Sequence, residues 1–100
     1  MSTIKLSRTV LRAVPFRWWQ AGKVAPVDCS TFSCTIEAST LPVALQIEPV
    51  NLSQGQFQFA ALTPEQAVRI NPGRKYGAHV VLRNAGGAAV EEFRCTFEAV

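Results

Sequence analysis

Three cysteines, one histidine and seven acids are the side chains of this 100-residue chain best equipped for reaction chemistry, and their spacing assembles none. A Ser-His-Asp arrangement would have to be built around His79. That residue falls on the strand face opposite Tyr76, Val80 and Leu82, where it reads as a solvated histidine. The acids stand singly apart from Glu91-Glu92, and neighbours on a strand point to opposite faces unless a bulge intervenes. Cys29, Cys34 and Cys95 match no zinc-site spacing. Cys34 and Cys95 lie on inward strand positions and read as buried free thiols, which behave as small apolar side chains. A Cys34–Cys95 bridge and a metal site using His79 are the alternatives. Gly86-Gly87 precedes neither Lys-Ser/Thr nor a helix, so it is not a phosphate-cradling loop. The chain therefore reads as non-enzymatic, with no metal, cofactor or small-molecule substrate expected.

The residues best suited to binding are Arg17 and Trp19. In Phe16-Arg17-Trp18-Trp19 a period of two sends Phe16 and Trp18 inward and leaves Arg17 and Trp19 outside. Arg and Trp are enriched in interface hot spots, which makes this pair an anchor candidate. The competing reading packs Trp19 under a loop or the N-terminal arm.

The formal net charge is +3, and Lys5, Arg8, Arg12, Arg17 and Lys23 all precede Asp28, the first acid. A basic arm with nearby aromatics suits nucleic acid. No recognition-helix pattern, RNA-binding aromatic signature or zinc-finger spacing accompanies it, so a solvated face or a patch meeting an acidic protein is preferred. No apolar run approaches the roughly 20 residues of a membrane helix. No apolar core with a cleavage site marks a signal peptide, so synthesis in the cytoplasm is expected.

The elements that must position these residues follow from alternation. Apolar residues make up 48% of the chain and charged residues 17%, the balance of one folded domain over residues 1–100. Residues 1–13 read as an N-terminal arm or edge strand with Ile4 and Leu6 inward, and a short amphipathic helix over 4–14 is the alternative. Phe32, Cys34 and Ile36 alternate with Ser33, Thr35 and Glu37 in the clearest strand. Val43, Leu45 and Ile47 predict another strand, which Pro49 ends, bulges or confines to an edge. A turn at 53–56 leads back through Phe57 and Phe59. Thr63-Pro64-Glu65-Gln66 predicts a capped helical connection near 63–70, with Ala67, Val68 and Ile70 plugging the sandwich. A long hairpin follows, turning at Asn84-Ala85-Gly86-Gly87, with a bulge expected near Glu91-Glu92 because Val90 and Phe93 are out of phase. Short strands at this spacing predict an all-β, antiparallel sandwich of about seven or eight strands.

Several spaced pieces resemble a family of small immunoglobulin-like β-sandwich domains from tailed phages and prophages. Phe16 leads through Gly22 to Pro26-Val27-Asp28, a turn that opens the next strand. Gly55 precedes Phe57 and Phe59, Leu62-Thr63 opens the short helix, and Gly73-Arg74-Lys75-Tyr76 enters the hairpin. The chain ends in Phe93-Arg94-Cys95-Thr96-Phe97. It departs from the family at Cys29, where Leu is usual, and in the two basic residues after Gly73. The family's domains resemble the N-terminal attachment module of upper baseplate proteins and also occur alone in tail-gene regions. The resemblance implies a virion structural or docking role without catalysis, other phage structural proteins or further copies as partners, and a place in the virion.

Overall fold

The computed structural model describes residues 2–7, 9–20, 22 and 25–100. Among the described residues its strands are β1 (Ser2–Leu6), β2 (Val14–Arg17), β3 (Ser33–Ser39), β4 (Ile47–Asn51), β5 (Gln56–Phe59), β6 (Lys75–Arg83) and β7 (Ala89–Ala99), with one α-helix, α1 (Pro64–Ala67), and a 3-10 turn at Leu52–Gln54. They form a four-stranded sheet in the order β1-β7-β6-β3 and a three-stranded sheet in the order β2-β5-β4. Lettered from A in chain order, these sheets separate C-F-G from B-E-D, the partition of an immunoglobulin-type sandwich. The all-β sandwich expected from alternation is what the chain forms.

A second mark of that fold is Tyr76 at the start of β6, whose hydroxyl oxygen accepts a hydrogen bond from the Asn71 N–H at 3.2 Å. The contact fastens the α1–β6 connection back onto the sheet, as a tyrosine corner does.

The expectation of wholly antiparallel pairing fails at one place: β1 runs parallel to β7, with Ile4 beside Phe97 and Leu6 beside Ala99. Parallel neighbours need a long connection between them, and here nearly the whole domain supplies it. The chain then crosses to the other sheet, and the Ser7 hydroxyl accepts from the Val10 N–H at 2.9 Å.

The core lies between the sheets. Leu82, Val80, Cys95 and Phe97 from the larger sheet meet Phe57, Phe59 and Trp18 from the smaller, all buried. Phe59 and Phe97 meet edge to face with centroids 5.1 Å apart, and Phe93 sits 5.1 Å from Trp18 and 5.7 Å from Phe16. Such pairs add to the area they bury, because the positive ring edge faces the negative ring face.

Two local expectations are corrected. The strand predicted over 43–48 forms instead at Ile47–Asn51. Leu45 is buried and Val43 half-buried without strand pairing, so their alternation reports packing at the edge of β3 rather than a hydrogen-bonded ladder. Pro49 lies within β4, on an edge strand and at a register shift, the two settings a residue without an N–H tolerates. The bulge of the long hairpin forms beside Glu91, as expected, and leaves Val90 without a register partner, so Glu91 and Glu92 keep opposite faces. In α1 the capping box forms as predicted, with Thr63 accepting from Gln66 and Gln66 reaching back. Ala67 and Ile70 plug the core, but Val68 points outward and is 74% exposed.

Candidate functional site

The candidate anchor is held by a main-chain crossing beneath it. The Trp18 N–H donates to the Gly55 carbonyl at 2.9 Å, and the Val27 N–H donates to the Trp18 carbonyl at 3.0 Å. Gly55 makes this crossing close: its φ is +64°, and a Cβ there would stand 2.5 Å from the Val27 oxygen and 3.0 Å from the Trp18 oxygen. Only glycine combines that conformation with that approach. With Trp18 fixed and buried, the strand period turns Trp19 outward, where it bridges to Pro26 and remains 44% exposed.

Arg17 sits beside it on the outer face of β2. Its guanidinium carbon lies 5.6 Å from the Trp19 ring centroid, within cation–π range. One guanidinium nitrogen donates to Gln56 Oε1 at 3.3 Å. Across the same face Gln58 donates to Glu48 at 2.9 Å. The result is a flat polar face of amides with a stacked Arg–Trp pair at one corner. The structure thus brings together both residues singled out from the sequence and leaves Trp19 uncovered by any described loop.

The other chemistry-bearing residues do not converge. Among the described residues, no group of three or more His, Cys, Asp or Glu has the placement of a metal site. His79 is less solvated than expected: its side chain is 19% exposed and Nε2 lies 3.1 Å from Glu92 Oε2, at an angle that forms no hydrogen bond. All three cysteines are free, buried thiols. Burial pushes the Cys34 thiol up to about 11, against a smaller downward pull from the indole N–H of Trp18. Cys29 is fully buried and fills an apolar position.

The N-terminal cations are spread out. Lys5 pairs in register with Glu98 on the large sheet and, with Arg12, lines a groove between the sheets, whereas Arg17 belongs to the small sheet's outer face. Arg8 and Lys23 lie outside the described residues.

One feature escaped the sequence reading. On the outer face of the large sheet, Gly77 opens a hollow of about 330 Å³ bordered by Ala38, Thr40, His79 and Arg94. A glycine inside an otherwise alternating strand was the available signal. Comparisons of the chain with protein-family models, curated proteins and solved structures find no match.

Proposed function

We propose that this protein is a non-enzymatic structural or docking component of a phage or prophage tail, located in the tail or baseplate and assembling through protein–protein contacts. The observation that carries the reading is Trp19, 44% exposed and stacked with Arg17 above a rigid main-chain crossing. Trp and Arg are the residue types that anchor interfaces, and here the two stand together on an outer face. The immunoglobulin-type sandwich and the spaced residues similar to the phage family support the same reading. The partners are other virion proteins or further copies of this chain, met after synthesis in the bacterial cytoplasm.

Mass spectrometry of particles purified after prophage induction tests it. The expected result is stoichiometric presence in intact particles. Abundance in the lysate with absence from particles overturns the virion role.

A further inference from the structure

Gly77 stands in β6, the central strand that pairs with both β3 and β7. Glycine weakens a strand interior, and where it persists it marks a bulge, a bend or a close approach by a ligand or another backbone. The first explanations do not apply. Toward β7 the register runs regularly from Tyr76–Phe97 to Ala78–Cys95, toward β3 the shift falls between Ile36 and Ala38 rather than at Gly77, and Gly77 does not take a positive φ. Thr40 approaches its backbone, accepting from the Gly77 N–H at 2.9 Å and donating to its carbonyl at 3.0 Å. Yet a Cβ at Gly77 would meet nothing within 4 Å, so Thr40 does not require the glycine. What remains is the space itself.

The chemistry around that space is one-sided. Of the four basic residues on β6 and β7, three have acidic neighbours: Lys75 with Glu98, His79 with Glu92, and Arg83 with Glu37. Arg94, opposite His79 in the register and on the rim of the hollow, makes no ion pair among the described residues, although Glu92 stands two residues before it on the same face and turns to His79. The floor is small and apolar, Ala38 and Gly77, and hydroxyl groups of Ser39 and Thr40 stand on the side away from Arg94. A glutamate side chain fits this arrangement, with its methylenes over the floor and its carboxylate on the guanidinium, which binds carboxylates in a bidentate fork.

We propose that the hollow over Gly77 is a docking site for an acidic segment of a partner protein, seating a glutamate against Arg94. The site is on the sheet opposite Trp19, and the proposal does not depend on the phage-tail reading.

An acetylated, amidated Gly-Glu repeat peptide titrated into the ¹⁵N-labelled full chain at low salt tests this directly. Amide shifts are expected at 38–40, 77–79 and 94–95, saturating in the millimolar range. Arg94→Gln is expected to weaken binding by about tenfold or more, the loss of one charge-assisted bidentate contact. Gly77→Val fills the hollow and is expected to abolish binding while the melting temperature holds or rises. Any of four results overturns the proposal: no shifts at 10-fold the expected concentration, wild-type affinity in folded Gly77→Val, equal response to a Gly-Gln repeat peptide, or equal response to inorganic phosphate.

Discussion

The outer face of β3-β6-β7-β1 carries charges answered by their neighbours, whereas that of β2-β5-β4 carries amides and an exposed tryptophan. On the large sheet Arg83 bonds Glu37, Lys75 lies 3.9 Å from Glu98, and His79 approaches Glu92. On the small sheet Gln56 and Gln58 take the central positions, and Trp19 ends the face. Covering the first face strips water from several ions, which costs more than their pairing returns unless new partners match them. Covering the second removes water from amides and a ring. A standing contact is therefore better suited to the small sheet, and the large sheet admits one only at its unanswered Arg94.

The adjacent tryptophans give the strongest test of that division. Trp18→Ala is expected to cost about 3–5 kcal/mol, the range for emptying a large aromatic site in a packed core. Trp19→Ala is expected to leave stability within about 0.5 kcal/mol and to reduce association with its partner. Urea unfolding of both variants measures the contrast. Equal losses would make Trp19 part of the core and remove the anchor.

The crossing that aims Trp19 outward is the next point to break. Gly55→Ala puts a Cβ into the Val27 and Trp18 carbonyls at a left-handed backbone position. Destabilisation on the order of 3 kcal/mol is expected from the combined strain and clash. A loss below about 1 kcal/mol would show that the crossing yields, leaving Trp19 less firmly held than the site requires.

Alternation read the fold well wherever a strand is half-buried. It placed Phe32, Cys34 and Ile36 inward, separated Trp18 from Trp19, and found the capped turn at Thr63. It failed where burial and hydrogen bonding part company: Val43 and Leu45 are covered without a ladder, and Val68 is excluded because α1 ends before its helical face can continue. The parallel pairing of β1 lies beyond periodicity, since a strand's pattern does not encode its neighbour's direction. Arg17 and Trp19 were legible because they stand two residues apart, at the end of β2 and just beyond it. The Gly77 hollow was not, because its walls come from β3, β6 and β7 and meet only after folding.

Between the two faces lies Cys34, which responds to alkali rather than to acid. Its thiol is held up at about 11 by burial, above the roughly 8.5 of an unfolded thiol. The folded state thus favours the neutral thiol, a contribution intact below about pH 8.5 and lost as pH rises through the folded value. Cys34→Ala is expected to flatten the stability profile between about pH 8.5 and 11. In native protein at pH 8, iodoacetamide is expected to label none of the three cysteines, and all three after denaturation. Rapid native labelling would place a thiol at the surface.

The smallest expected effect separates the two outer faces by pH. Hydrogen bonds from Arg83, then from the Thr35 hydroxyl, hold the Glu37 carboxyl below the usual carboxylate range. The folded state therefore favours the ionised form, which adds stability above the ordinary carboxylate value and loses it as pH falls through the lowered one. Glu37→Gln is expected to lower the melting temperature by about 1–3 °C at pH 7 in low salt, with the difference shrinking toward pH 3 and in 1 M salt. Arg17→Gln, on the amide face, is expected to give a shift that stays constant from pH 7 to pH 3, because its bonded neighbour Gln56 does not titrate. If the two variants follow the same pH course, the charge-answered and amide faces do not differ as energetic environments. The preference for the small sheet as the contact surface would then rest on Trp19 alone.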